Sequence, residues 1–308
     1  MLTYLQNKIS GSRQTLPVTA AYALVVWLAC GVVSQGWWLQ LACFAVSTYL
    51  MVLLNNMNAL IRIYSRLVSC SFLMLYCCAC FLFPSLRSAL LTMAVAAAYV
   101  VLFMGYQDKQ SVGTTYYAFL CIGLGSLAYV HVLYFVPVLW LLMVTCLLSF
   151  SWRTWAASLL GLLTPYWFGA CWLLYQQDLS SAIGHFLPLW QFQHPFGYSS
   201  ISFWAIITYS FVVVLAIMGS THFLRKSYYD KIRTRMFFHV FIWMDLLTAL
   251  FLAVQHQNYD AFLRLMIVNT SPLIAHFLAL TSTKVTNAVF LAIVIGLGVL
   301  TACNVWNM

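Results

Sequence analysis

The sequence predicts an all-α fold, a polytopic transmembrane bundle of about eleven spans. Three observations predict it. Hydrophobic residues make up 64% of the 308 positions and charged residues only 6%, against about 25% charged in an ordinary soluble domain. Apolar runs of about 20 residues, the length that crosses a bilayer, recur along the whole chain. The basic residues also alternate in a way that only a multi-pass topology explains. So few charges could not cover the surface of a soluble chain of this size, which excludes soluble enzymes, nucleic-acid binders and disordered proteins.

The predicted spans are 17–34, 37–56, 67–83, 88–106, 114–130, 132–150, 155–175, 201–221, 236–254, 262–281 and 285–305. They use roughly 220 positions, so residues 1–308 form a single transmembrane domain with no soluble domain. Pro84 and Ser85 mark the turn after the third span, because proline favours helix ends. The fifth and sixth spans meet near His131, where one broken helix is the alternative reading. Pro137, Pro165 and Pro272 fall inside spans and are read as kinks, which membrane helices tolerate when neighbours satisfy the freed carbonyls. The first sixteen residues are too polar for a signal-peptide core, so the first span is expected to be a retained anchor. No internal repeat of the transporter kind is visible.

Charge sets the expected orientation. With the N-terminus cytoplasmic, Lys8, Arg13, Arg62, Arg66, Lys109, Arg153, Arg225, Lys226, Lys231, Arg233, Arg235 and Lys284 fall on the cytoplasmic side. Only Arg87 and Arg264 fall outside, a split of 12 to 2 out of 14. Cytoplasmic loops carry the Lys/Arg excess, so the C-terminus is expected outside. The basic run 225–235 could also attract anionic headgroups, but topology explains it without a ligand.

Acids are scarcer still: five Asp and no Glu. Asp178 lies in the longest outside loop, 176–200, with His185, His194, Phe186, Trp190, Phe192 and Phe196. The centre of that loop is too short to span and too apolar for a free loop, which suggests an interfacial or re-entrant segment. It is either a lid or floor over a lipid-facing cleft, with Asp178, His185 and His194 as acid–base candidates, or an interfacial anchor. A second outside cluster holds His256, Asp260 and Arg264. Asp260 and Arg264 are four residues apart and could pair on one helix face. Together with Trp190 they would bind a phosphate or sugar, unless the segment is an ordinary solvated loop.

Asp245 lies deep in the ninth span, where a carboxylate is expensive and functional by default. Asn269, Thr270, Ser271 and His276 are expected partners, as are Asn55, Asn56 and Asn58. The arrangement suits either a proton relay or a hydrogen bond that locks two helices. Ten cysteines all fall in spans. Cys77 and Cys80 are one helical turn apart, but no second pair or nearby histidine completes a zinc site, so they read as small buried hydrophobes. No metal and no cofactor is expected. The P-loop, H-E-x-x-H, G-x-S-x-G and G-x-x-x-G motifs are absent.

Leu54-Asn55-Asn56, Asn58, Arg62 and Phe83-Pro84 are followed by Gly123 to Tyr129, Trp152-Arg153-Thr154-Trp155 and Gly161 to Tyr166. Lys231, Arg233 and Arg235, then Asn269 to Pro272, complete the order. It resembles an uncharacterised family of polytopic inner-membrane proteins from Bacteroidota-type bacteria, which implies a bacterial inner membrane. The Gly-rich fifth span and the stretch from Arg153 to Pro165 are also loosely similar to membrane glycosyltransferases that use polyprenyl-linked sugars. Those enzymes carry an acidic residue in the first outside loop, whereas the loop here, Val33 to Trp38, has none.

Three functions follow as expectations. The first is a cell-envelope enzyme, glycosyltransferase-like, acting on a lipid-linked glycan-type substrate at the outer face. The second is a transporter or flippase with Asp245 as its coupling group. The third is a non-catalytic partner of an envelope complex. Membrane lipids, a polyprenyl-phosphate-linked substrate and a membrane-protein partner are the expected ligands, and nucleic acid is not.

Overall fold

The computed structural model describes residues 5–177, 184–190, 201–255 and 258–307. Every described regular element is helical. The long or spanning elements are α2 (Thr15–Ala29), α4 (Trp38–Asn58), α5 (Leu67–Cys78), α6 (Leu86–Met104), α7 (Val112–Ala128), α8 (Val130–Leu147), α9 (Trp152–Tyr175), α10 (Phe203–Lys226), α11 (Ile232–Val254), α12 (Tyr259–Leu280) and α13 (Lys284–Trp306). Two short helices complete the set, α1 (Leu5–Ser10) and α3 (Val32–Gln35). Among the described residues eight helices are long and apolar enough to cross a membrane, and α2, α5 and α7 are shorter apolar helices. An apolar, all-helical chain of this kind is compatible with a multi-pass membrane protein.

Local chemistry explains the helix ends. The Ser85 hydroxyl caps α6 by accepting from the Ser88 amide, and Ser151 with Thr154 and Thr283 with Thr286 form capping boxes at α9 and α13. Ala59 closes α4 in the left-handed region at φ 46°. The first predicted span is cut short, because Gly31 and Gly36 take φ of 81° and 69° and set α3 apart from α2. Pro137 does not kink a helix: it sits in the first turn of an α-helical stretch, Val136–Leu142, where its missing amide costs nothing. Pro165 and Pro272 do lie inside α9 and α12. The expected break near His131 is a single extended residue, Tyr129, between α7 and α8. The predicted third span, 67–83, breaks at Ala79 and ends in a 3-10 turn, Cys80–Leu82.

The loops gather at two ends. At one, Arg233 donates to the Asn58 side chain at 3.3 Å, Arg62 lies 5.2 Å from the Tyr229 ring, and Ser151 bonds the Lys109 carbonyl at 2.8 Å. We call this the basic end. At the opposite end Gln40 reaches the Pro84 carbonyl at 3.2 Å and Tyr134 holds the Leu189 carbonyl.

The helix α12 is the axis of the bundle. In its apolar window 94% of residues are buried, whereas α4 and α9 each bury 28% and turn rows of apolar and aromatic side chains outward. Glycine permits the closest helix approaches. A Cβ on Gly219 of α10 would lie 2.6 Å from the Leu273 backbone of α12, and one on Gly161 of α9 would lie 2.4 Å from the Tyr116 carbonyl of α7. Gly169, also in α9, faces open space. We therefore expect Gly219→Ala to lower the thermal midpoint of the purified protein, at a cost of about 1–3 kcal/mol. Gly169→Ala should be neutral or stabilising by up to about 1 kcal/mol, and equal effects at the two sites would refute the packing described.

Candidate functional site

The polar residues of α12 form a column, and each has a partner on a different element. Arg264, 1% exposed, donates to the Leu82 and Ser85 carbonyls and lies 4.9 Å from the Tyr76 ring. Asn269 accepts from the Tyr99 hydroxyl at 2.7 Å. Thr270 donates to the Asp245 carboxylate, 3.1 Å from each oxygen. His276 Nε2 lies 2.9 Å from Asp230. At the foot of the column the buried Gln6 amide donates to the Leu278 carbonyl at 2.8 Å and to Thr281 at 2.7 Å.

This column corrects several expectations. Asp245 takes Thr270 alone of its expected partners: Asn269 is held by Tyr99, His276 by Asp230, and Ser271 by the Ile267 carbonyl. Asn55 and Asn58 serve the basic end, bonding the Ser65 and Leu54 carbonyls, and Asn56 is exposed. Asp260 and Arg264 are not an ion pair, since the only ion pair among the described residues is His276 with Asp230. Arg264 bridges α12 to the turn between α5 and α6 by adding a bond to the carbonyls of Leu82 and Ser85. Asp260 lies beside Tyr259. Cys77, Cys78 and Cys80 are buried in the core, and no group of three metal-ligating side chains gathers among the described residues.

At the end opposite the basic one, a cleft of about 420 Å³ opens between the bundle and the segment 184–190, within the range of small-ligand sites. Arg87 from the first turn of α6, Tyr129 and His131 from the α7–α8 turn, Gly184, His185 and Pro188 from the overlying segment, and Asn258 line it. The Asn258 amide donates to His131 Nδ1 at 3.2 Å, and the Pro188 carbonyl is within hydrogen-bonding reach of the same ring. Among the described residues the buried His185 Nε2 has no hydrogen-bond partner, and its ring lies 5.9 Å from Tyr166, whose hydroxyl is fixed by Ser126 at 2.7 Å. Arg87 is exposed and forms no ion pair among the described residues. No described carboxylate lines the cleft. A guanidinium and two imidazoles without a counter-charge suit an anion, and a neutral imidazole can also accept a proton there.

Of the expected site residues the structure brings only His185 to this cleft. Trp190 does not line it and is 84% exposed. Asp178, His194 and His256 lie outside the described residues. Sequence reading used Arg87 only as a topology count and His131 only as a boundary. The usable signal was that Arg87 is one of two basic residues against the charge rule.

No family model, no curated protein and no solved structure matches the chain.

If Arg264 holds the broken end of α5, Arg264→Gln should cost about 2–3 kcal/mol, the scale of hydrogen bonds from a charged group. Asp260→Asn should change stability by less than about 0.5 kcal/mol. Thermal unfolding in detergent reads both, and equal losses would restore the Asp260–Arg264 pair.

Proposed function

We propose that this chain binds the phosphate-bearing headgroup of a lipid-linked, glycan-type substrate in the cleft of Arg87, His131, His185 and Asn258. The observation that carries this reading is an exposed, unpaired Arg87 beside two imidazoles in a cleft with no described carboxylate. Arg87 is the anion clamp. Asn258 and the Pro188 carbonyl orient His131, which leaves His185, with its unpartnered Nε2, as the proton acceptor in a transfer reaction. The segment 184–190 is the lid, held down by Tyr134 on Leu189 and by Tyr166 against Phe186. Asp178 and His194 belong to the same loop and would complete the acid–base set.

In this reading the chain is a multi-pass protein of a bacterial inner membrane that serves cell-envelope biogenesis. It has eleven spans, its N-terminus in the cytoplasm and the cleft at the outer face. The family resemblance of the motifs from Leu54 to Pro272 points to the same membrane. Asp245 is then a lock between α11 and α12. The cavity nearest it, about 20 Å³ and lined by Tyr99, Thr248 and Asn269, holds about one water, which gives a transport route no width.

Two measurements test the proposal. In phosphatidylcholine nanodiscs, added polyprenyl phosphate should bind saturably, and Arg87→Ala should weaken it roughly tenfold or more, as loss of a charge-assisted contact predicts. Unchanged binding by Arg87→Ala would overturn the site. Single cysteines placed in a cysteine-free background at Leu187 and at Ser227 should react with membrane-impermeant reagent from outside and inside respectively, and the reverse would overturn the orientation.

A further inference from the structure

A second binding site lies at the other end of the molecule, independent of the cleft. The short helix α1 is pinned across the basic end: Gln6 donates its backbone amide to the Asn287 side chain at 3.1 Å and its side-chain amide to Leu278 and Thr281. That anchoring sets Leu5 and Ile9, four residues apart and on one face, over a groove of about 600 Å³. The groove runs between α2 and α13, from Thr15 to Tyr22 on one wall and from Phe290 to Leu297 on the other. Each wall spans seven residue steps, about 10 Å of helix, within the ~15 Å depth of one leaflet, half of a ~30 Å hydrocarbon core. Its floor is made by Leu75, Leu215 and Ile274, all buried in the core, so the groove cuts into the bundle.

The charged lining is confined to the mouth, and the polar groups along the walls are the hydroxyls and thiol of Thr15, Thr19, Tyr22, Cys70 and Ser71. Lys8, Ser12 and Gln14 lie at the mouth, with Arg13 next in sequence. Lys8, Arg13 and Gln14 are exposed, and no ion pair engages either cation among the described residues. A cationic rim above a narrow apolar slot matches a molecule with an anionic head and one long apolar tail segment.

We propose that this groove holds an acyl chain of an anionic phospholipid from the leaflet at the basic end, with the lipid phosphate at Lys8 and Arg13. The site tethers α1 to the bundle through a lipid and selects for headgroup charge.

The test uses the full chain in phosphatidylcholine nanodiscs carrying a trace of phosphatidylglycerol with a photoactivatable diazirine in its acyl tail. A second sample carries the same tail on phosphatidylcholine. After irradiation, peptide mapping should find the phosphatidylglycerol probe on Met74 and on residues 290–297, about fivefold above the phosphatidylcholine probe. Lys8→Glu, at an exposed position, should abolish that preference. Ile293→Trp, which fills the slot, should remove groove labelling while leaving labelling of the outward face of α9 unchanged. Equal labelling by the two probes, or a preference that survives Lys8→Glu, would overturn the proposal. Groove labelling that survives a folded Ile293→Trp would do so as well.

Discussion

The structure depends on burying α12 completely while it carries an arginine, an asparagine, a threonine and a histidine. A helix enclosed on every side has no water to satisfy its side chains, and each unpaired polar group there would cost about 1–3 kcal/mol. The bundle answers with one partner per residue: the α5–α6 junction for Arg264, α6 for Asn269, Asp245 of α11 for Thr270 and the α10–α11 turn for His276. Because each contact is with a different neighbour, the column fixes the rotation and depth of α12 relative to the whole shell. Apolar packing alone constrains such rotation weakly, since hydrophobic burial is non-directional. Glycine acts beside these bonds: Gly219 lets α10 close on α12 at the turn after Pro272.

That column also builds the cleft without entering it. Arg264 ties the end of α5 to α12, and the same junction continues through the Ser85 cap into α6, which presents Arg87. Asn258, the residue just before α12, then reaches across to His131. The cleft is therefore assembled by the ends of rigid helices, and the segment 184–190 closes over it.

Helix placement was largely legible in the sequence because it is a one-dimensional property. Each of the eleven apolar runs holds a helix, eight of them among the described residues long enough to cross a membrane, while 17–34 and 67–83 are broken at Gly31 and Ala79; the Pro84–Ser85 turn, the internal Pro165 and the charge-rich basic end were visible as local signals. Partners were not legible, because lateral packing leaves no periodic trace in one chain. Asp245 had seven candidates and took one, Thr270. Asp260 and Arg264 have ideal spacing for a pair, yet the guanidinium turns to the Leu82 and Ser85 carbonyls of the α5–α6 turn. Asp230 looked like part of a solvated basic run and is instead buried on His276. His131 was hidden by its position between two apolar runs, and it becomes a site residue only when Asn258, 127 positions later in the chain, meets it.

The scarcity of acids connects the two ends of the molecule. Asp230 and Asp245 are spent inside the bundle, Asp260 is half-buried beside Tyr259, and Asp108 bonds the Gln110 amide at 2.8 Å within its own turn. Almost no internal counter-charge is left for the fourteen Lys and Arg side chains. Twelve of them fall in or beside the loops of the basic end, the distribution that the expected cytoplasmic orientation calls for. The other two fall outside it. Arg264 is consumed by backbone carbonyls, which leaves Arg87 as the one exposed basic side chain of its end among the described residues. Among the described residues no carboxylate pairs with Arg87, so its charge is open to an anion. At a membrane surface phosphates on lipids are the anions at hand, which is why the proposed ligand of Arg87 is a phosphate-bearing headgroup.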